Sequence, residues 1–178
     1  PILALGLCSI AAGVLYTGGP FPLAYHGLGD LFVMLFFGGA AVGGSYFLQT
    51  HSFTPSVGVA AIAVGALATA ILVVNNLRDR DTDRAARKMT LVARFGPRFG
   101  RVEYSFLILL AYLAPVVLWR LEPTLGLGLL LPILSAPVAA WRVKQAWTLD
   151  GPALNPLLGS TAKLGLLYCV LFSLGVLA

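Results

Sequence analysis

The chain has 178 residues, of which 58% are hydrophobic and only 11% are charged. Soluble domains carry about 25% charged residues, so this composition excludes an ordinary soluble protein and favours a membrane protein. The formal net charge is +5, and its uneven distribution along the chain predicts an orientation in the membrane.

Long apolar segments divide the chain into five or six predicted transmembrane helices. Uninterrupted apolar segments of about 18 residues indicate helices that cross a bilayer. Five segments approach or reach this length: Leu31–Leu48, Val57–Val74, Tyr104–Trp119, Leu125–Trp141 and Leu164–Ala178. Pro1–Leu15 has the composition of a sixth helix. No basic flank precedes this segment and no cleavage site follows it, so we do not expect a signal peptide. Since the chain begins with Pro rather than Met, we expect its N-terminal part to be missing.

Small residues and prolines within these segments predict how the helices pack. Gly39 and Gly43 have the GxxxG spacing, which is typical of close packing, here of Leu31–Leu48 on a neighbouring helix. Pro132 and Pro137 interrupt the fourth long segment. Pro115 lies within the third long segment. We expect the three prolines to kink their helices or to delay the start of these helices.

The basic residues predict which side of the membrane each connection occupies. Eight of the twelve lie in one connection, Arg78–Arg101. If the helices alternate in direction, Arg142, Lys144 and Lys163 fall on the same side, and Arg120 alone falls on the other. Because basic residues accumulate on the cytoplasmic side of membrane proteins, we expect Arg78–Arg101 to be cytoplasmic.

A dense charged segment, NNLRDRDTDRAARKMT, occupies Asn75–Thr90 directly after an apolar run. If the helix continues past Asn75, then Asn75, Asp79 and Asp83 are four residues apart and share one face. Like charges at this spacing destabilise an isolated helix by a few tenths of a kcal/mol. The repulsion is larger near a low-dielectric boundary. The pattern therefore predicts an external partner that neutralises the carboxylates.

A basic stripe of Arg80, Arg84 and Lys88 lies beside the acidic one on the same predicted helix. A divalent cation suits Asp79 and Asp83, since Mg²⁺ favours one or two carboxylates together with phosphate oxygens. Arginine and lysine side chains bind phosphate groups. A magnesium–diphosphate ligand would neutralise both stripes, since the metal binds the carboxylates and the diphosphate binds the basic side chains.

The charged segment has a second interpretation besides a magnesium–diphosphate site. The segment could serve only as a topology signal, since basic cytoplasmic loops usually do. Asp81 lies on the far side of an ideal helix, so it could support the site indirectly or pair with Arg84.

The segment Asn75–Gly96, NNLRDRDTDRAARKMTLVARFG, resembles the second Asp-rich motif of the UbiA superfamily of intramembrane prenyltransferases. It is most similar to the branch that prenylates 1,4-dihydroxy-2-naphthoate in menaquinone synthesis. That branch shows N-N-x-R-D-x-x-x-D, then a Lys/Arg-Thr-Leu step and an Arg-x-Gly ending. Further matching segments are Tyr16–Gly38, Tyr46–Thr50 and Asn155–Leu164.

The resemblance implies an all-α, polytopic bundle of about nine membrane helices, of which this chain would supply five or six. Residues 1–178 would then be a single, N-terminally truncated membrane domain. The family's first Asp-rich motif, of the N-D-x-x-D type, has no counterpart here. We therefore expect the chain alone to lack half of the metal ligands and to be inactive. Met89 also stands where the branch often has a basic residue.

The resemblance also implies the roles of the site residues. Asp79 and Asp83 would be the catalytic residues that bind Mg²⁺, while Asn75, Arg78 and Lys88 would bind the diphosphate. The implied reaction transfers a polyprenyl group from an allylic diphosphate to 1,4-dihydroxy-2-naphthoate, with decarboxylation, and gives demethylmenaquinone. The implied partners are polyprenyl diphosphate, 1,4-dihydroxy-2-naphthoate and the lipid bilayer, with no role for nucleic acid. The implied location is the cell (inner) membrane, with the active face in the cytoplasm.

The motif also allows other functions. The same superfamily includes enzymes for other aromatic acceptors, namely 4-hydroxybenzoate, homogentisate and haem. A non-enzymatic transporter or scaffold is a further alternative, but transporters place ionisable groups near the middle of the membrane. A lone histidine, His26, lies in a Gly-rich connection. We expect it to be structural, with contact to the aromatic acid as the alternative.

Overall fold

The computed structural model describes residues 2–20 and 22–177, and these residues form helices and no β-strand. Five of the described helices are long and apolar enough to cross a membrane. They are α2 (Gly29–Thr50), α3 (Pro55–Arg78), α6 (Pro97–Leu121), α7 (Leu127–Thr148) and α8 (Gly151–Leu177). The predicted all-α polytopic bundle is confirmed. Pro1 and Ala178, at the ends of two predicted segments, lie outside the described residues.

Shorter helices lie between and before the long ones, including 3₁₀-helices at Leu23–His26 and Pro123–Leu125. Helix α1 (Ile2–Thr17) is apolar but shorter than a full span. Helices α4 (Arg80–Ala85) and α5 (Leu91–Phe95) lie in the connection between α3 and α6. Successive long helices alternate in direction, so this connection, the start of α2 and the α7–α8 turn lie together. We call this the charged end of the bundle.

The helices depart from the predicted segments where charged residues or prolines lie. Helix α6 begins at Pro97 rather than near Tyr104, because its first turns carry charged side chains that an apolar window excludes. In α7, Leu127–Ser135 is a 3₁₀-helix, and the α-helical part begins only at Ala136. The delayed start expected from Pro132 and Pro137 is thus present. Pro115 does not delay its helix, because it lies inside α6, which runs from Pro97 to Leu121.

Helix α3 occupies the centre of the bundle and packs against α2, α6 and α8. Its inward face is built from small and β-branched residues, including Ala63, Ala66, Ala70 and Val73. Because these side chains are short, neighbouring helices approach closely. The outer faces of the bundle expose many large apolar side chains, as expected of surfaces that contact lipid.

Two buried tyrosines join α6 to α8. Tyr168 donates its hydroxyl to the carbonyl of Ala111 at 2.7 Å, and the hydroxyls of Tyr104 and Thr161 are 3.0 Å apart. Such interhelical bonds add about 1 kcal/mol each in a membrane bundle. They fix the two helices whose starting turns border the charged end.

The expected close packing of Leu31–Leu48 on a neighbouring helix is present, but the contact of α2 with α3 depends on Gly38 and Gly65 rather than on Gly39. Gly43 is buried against the ring of Phe53, which would lie 2.8 Å from an added Cβ. A Cβ on Gly38 would collide with the carbonyl of Ala61, and one on Gly65 would lie 2.7 Å from the sulfur of Met34. A Cβ on Gly39 would meet nothing within 4 Å. The reason is that Met34–Gly43 is wound as a π-helix, which turns each residue to a different face from the one an α-helix would give.

We expect Gly38→Ala to lower the melting temperature of the detergent-solubilised protein, because the methyl group forces α2 away from α3. Overpacking of this kind costs about 1–3 kcal/mol. Gly39→Ala is the matched control in the same π-helical segment and should melt like the wild type. Equal melting temperatures for the two variants would contradict this helix contact.

Candidate metal and diphosphate site

The backbone at the charged end keeps Asn75, Asp79 and Asp83 at intervals of one turn. Helix α3 ends at Arg78, and Asp79 forms a brief turn before α4. The N–H of Asp79 still donates to the carbonyl of Asn75 at 2.9 Å, and that of Asp83 to Asp79 at 2.7 Å. Helical hydrogen bonds therefore continue through the turn at Asp79. They hold the backbone of Asp79 and Asp83 in a fixed position relative to the end of α3.

The basic residues do not form the single helical stripe expected from the sequence. Helix α4 ends at Ala85, and Arg87 adopts a left-handed backbone with φ of 55°. Lys88 therefore lies beyond the helix. Arg84 donates its Nε to the carbonyl of Ala93 at 2.6 Å, and Arg80 pairs with Asp81 at 3.0 Å. The three basic side chains thus have three separate partners, and Asp81 pairs with Arg80 rather than with Arg84.

Arg78 caps Asp79 through two charge-assisted hydrogen bonds. Its Nε and Nη2 lie 2.7 Å and 2.6 Å from the two carboxylate oxygens. These hydrogen bonds hold the pKa of Asp79 below its usual range. Arg78 also donates to the side-chain oxygens of Asn75 at 2.7 Å and of Asn155 at 3.1 Å. Asn155, in the early part of α8, begins one of the segments that match the family, but it was not predicted as a site residue because its amide belongs to no spacing typical of a metal or diphosphate site.

Lys88 caps Asp83 in a similar way. Its Nζ lies 3.2 Å from each carboxylate oxygen, and its backbone N–H donates to the carbonyl of Asp83 at 2.8 Å. The Asp83 side chain is only 10% exposed. Both carboxylates of the predicted metal site therefore already have a counter-ion supplied by a neighbour in the chain.

A small polar cavity lies beside Lys88, and we call it the polar chamber. It has a volume of about 10 Å³ and is lined by Tyr16, Ala24, Gly27, Gly29, Asp30, Asn76, Lys88 and Thr90. Asp30 is 7% exposed and Asn76 is 2% exposed. Within the described part of the chain, neither Oδ1 atom has a hydrogen-bond partner. Sequence reasoning assigned neither residue a role, since only the tertiary fold buries them together.

The connection around His26 is tied to the segment that carries Lys88. Met89 donates its N–H to the carbonyl of Tyr25, and Arg94 donates its Nη2 to the carbonyl of His26, both at 3.0 Å. The His26 Nδ1 lies 2.9 Å from the carbonyl of Pro22. These contacts hold the two connections together at the charged end, in agreement with a structural position for His26.

An apolar groove extends from the charged end between α1 and α2. It has a volume of about 620 Å³, and its lining includes Leu5, Phe32, Phe36 and Leu48. Tyr16 lines both this groove and the polar chamber. A long apolar ligand could therefore lie along the bundle with its polar end near the carboxylates.

The donor set at the charged end fits Mg²⁺ bound together with a phosphate ligand. Among residues 2–20 and 22–177, no group of three or more His, Cys, Asp or Glu side chains could enclose a metal by itself. Mg²⁺ needs no such cage, because it usually takes one or two carboxylates, waters and substrate phosphate oxygens. Asp79 and Asp83 supply that number of carboxylates.

Comparison with known proteins identifies the class. Residues 1–175 match the UbiA prenyltransferase family, and the chain belongs to this family. It is 40% identical to the 1,4-dihydroxy-2-naphthoate octaprenyltransferase of Haemophilus influenzae over 177 residues, which are 97% of this chain and 56% of that protein. The identity to the same enzyme of Escherichia coli is also 40%, over 98% of this chain and 56% of that protein.

More distant relatives include the human UbiA prenyltransferase domain-containing protein 1. The identity is 35% over 168 residues, which are 94% of this chain and 48% of that protein. The chain thus spans about half the length of the curated relatives it matches. The resemblance inferred from the Asp-rich motif is confirmed.

We expect Thr90→Val to loosen the segment that presents Lys88. The Thr90 side chain caps α5 by accepting the N–H of Ala93 at 3.1 Å. Loss of such a cap costs about 1 kcal/mol. Limited proteolysis should therefore cleave the 86–96 segment faster than in the wild type. The matched control is Thr148→Val, because the exposed Thr148 hydroxyl bonds only to carbonyls of its own helix. Equal cleavage rates in both variants would contradict the capping role.

Proposed function

We propose that this chain takes part in transferring a polyprenyl group from an allylic diphosphate to 1,4-dihydroxy-2-naphthoate, with loss of the carboxylate as CO₂, to give the quinol (reduced) form of demethylmenaquinone. The observation that carries the proposal is the pair Asp79 and Asp83, one turn apart at the end of a central apolar helix. The named activity of the bacterial relatives supports the choice of substrates.

Asp79 and Asp83 are proposed to hold Mg²⁺, and they are the catalytic residues of the proposed site. Bound Mg²⁺ would stabilise the negative charge of the departing diphosphate. Arg78 and Lys88 cap these carboxylates. When the carboxylates bind a metal, the guanidinium and ammonium groups become free to donate hydrogen bonds to diphosphate oxygens. Asn75, already bonded to Arg78, supplies a neutral hydrogen-bonding partner.

The reaction requires the allylic C–O bond to break and a new C–C bond to form. The electron pair of the C–O bond leaves with the diphosphate, and an electron pair of the aromatic ring attacks the allylic carbon. The bond between the ring and its carboxylate then breaks, CO₂ leaves, and the electron pair of that bond restores the aromatic ring as the dihydroxy (quinol) form. An allylic cation reacts readily with water, so the prenyl group needs a dry environment. We propose that the isoprenoid tail lies in the groove between α1 and α2, whose lining is mostly apolar.

The orientation in the membrane is also a proposal. Multi-pass insertion follows from the five long apolar helices and the family. We infer that the charged end lies in the cytoplasm, because Arg78–Arg101 holds most of the basic residues. The cell (inner) membrane as the location rests on the family resemblance. The 1,4-dihydroxy-2-naphthoate and the charged diphosphate group of the prenyl donor would then reach the site from the cytoplasmic side.

We further propose that residues 1–178 form a single membrane domain that is inactive by itself. The family resemblance implies a second carboxylate motif on another helix, and the chain spans about half the length of its relatives. Two carboxylates hold one Mg²⁺ with phosphate oxygens. A second Mg²⁺ would need a second pair of carboxylates, which the described residues do not group around this site.

The alternative functions make different demands on the site. Other aromatic acceptors would use the same carboxylates and differ only in where the ring binds. A transporter or scaffold would need no leaving-group chemistry, and it would more often carry its ionisable groups near mid-membrane. The clustering of Asp79, Asp83, Arg78 and Lys88 at one helix end favours the enzyme.

We expect Asp79→Asn and Asp83→Asn each to reduce Mg²⁺-dependent prenylation of 1,4-dihydroxy-2-naphthoate at least about 100-fold, because each removes charge stabilisation of the leaving group. The assay measures demethylmenaquinone in membranes that contain the full-length protein. Asp81→Asn is the matched control, since Asp81 is exposed and pairs only with Arg80. Full turnover in either site variant would contradict the metal assignment. Parallel assays with 4-hydroxybenzoate and homogentisate test the acceptor.

We expect residues 1–178, expressed alone, to insert into membranes without forming demethylmenaquinone. The physical reason is that one carboxylate pair neutralises only part of the diphosphate charge. Extraction with alkaline carbonate reports insertion, and the same product assay reports activity. Turnover by these residues alone would contradict the need for a second motif.

A further inference from the structure

A metal that binds Asp83 must displace a cation that is already present. The Lys88 ammonium lies 3.2 Å from both carboxylate oxygens and so occupies the chelating side of Asp83. Arg78 has two amide oxygens within reach besides Asp79, those of Asn75 and Asn155. In the described part of the chain, the Lys88 ammonium donates to Asp83 alone. Once released, the ammonium would have only water or diphosphate oxygens as acceptors unless a second group of the chain receives it, because its side chain is 23% exposed and has no other protein partner among the described residues.

The polar chamber holds two acceptors that have no donor. Asp30, from the first turn of α2, and Asn76, from the last turn of α3, both line it, and each has an Oδ1 without a hydrogen-bond partner in the described chain. Both residues are more than nine-tenths buried. A buried carboxylate without a cation is strongly unfavourable. Native proteins rarely leave such groups unpartnered in every state they adopt.

The chamber matches a lysine ammonium in size and charge. Lys88 is the one cationic side chain among the described residues that line it. A volume of about 10 Å³ holds roughly one water or one ammonium group. It excludes a phosphate or an aromatic acceptor. The ammonium has three N–H donors, so two can go to Asp30 and Asn76 while one remains for a diphosphate oxygen.

We propose that Asp30 and Asn76 are positioning residues that receive the Lys88 ammonium when a divalent metal takes Asp83. The proposal rests on the proposed function, since it requires the metal at Asp83. In the metal-free state, Lys88 neutralises Asp83 and leaves Asp30 unpaired. In the metal-bound state, the metal neutralises Asp83 and Lys88 neutralises Asp30. Metal binding is therefore easier than it would be if the ammonium had no buried acceptor.

The test is a double-mutant cycle on metal affinity rather than on activity. Mn²⁺ binding is measured by electron paramagnetic resonance on the full-length protein in detergent, without prenyl substrate. Asp30→Asn keeps the side-chain shape and removes the charge, and we expect it to weaken Mn²⁺ binding about tenfold. In the Lys88→Gln background, where no ammonium needs a new partner, the same change should alter the affinity less than about twofold. Asp150→Asn, an exposed aspartate of the same end, is the control and should bind like the wild type.

The outcomes separate this proposal from simpler explanations. A general loss of negative charge near the metal would weaken binding equally in both backgrounds, and that result would overturn the proposal. Unchanged affinity in Asp30→Asn alone would also overturn it. If Asp30→Asn does not fold, Asn76→Leu enters the same cycle, with a smaller but equally Lys88-dependent effect expected.

A separate variant reports on the proposed function. Asp83→Asn should greatly weaken Mn²⁺ binding if Asp83 is a ligand. Unchanged binding in that variant would refute the metal site itself. If Asp83→Asn weakens Mn²⁺ binding, but Asp30→Asn has the same effect with and without Lys88→Gln, only the role of Asp30 and Asn76 is refuted.

Discussion

The site depends on one electrostatic constraint: two carboxylates lie one turn apart where an apolar helix ends. Near a low-dielectric boundary such charges repel strongly and require cations. The chain supplies them from its own neighbours, Arg78 for Asp79 and Lys88 for Asp83. Arginine and lysine side chains also bind phosphate groups. The ion pairs that stabilise the metal-free protein therefore hold the proposed diphosphate-binding side chains next to the proposed metal ligands.

The bundle brings the parts of this site together from different helices. Helix α3 carries Asn75 and Asn76 and leads directly into Asp79. Asp30 lies in the first turn of α2, and Asn155 lies in the early part of α8, where the α-helical winding begins. The small residues of α3 and the close approach at Gly38 allow these helix ends to converge. The same packing leaves the groove between α1 and α2 open to an apolar ligand. Fold and proposed chemistry thus depend on the same short side chains of the central helix.

The sequence predicted the features that are local. Apolar length predicted the long helices, and the spacing of Asp79 and Asp83 predicted their one-turn separation. Features set by unusual backbone or tertiary packing escaped prediction. The left-handed residue Arg87 removes Lys88 from the expected helical stripe, and the π-helical turn of α2 moves Gly39 away from the helix contact. The burial of Asp30 depends on residues far from it in sequence, which no local pattern records.

The most direct measurement of the central claim is an experimental structure of the full-length protein with Mg²⁺ and a non-reactive thiodiphosphate analogue of the prenyl donor. The account predicts that oxygens of both Asp79 and Asp83 lie about 2.0–2.1 Å from Mg²⁺, with Lys88 no longer bonded to Asp83. A metal–diphosphate bound elsewhere, with the Arg78–Asp79 and Lys88–Asp83 pairs intact, would contradict it.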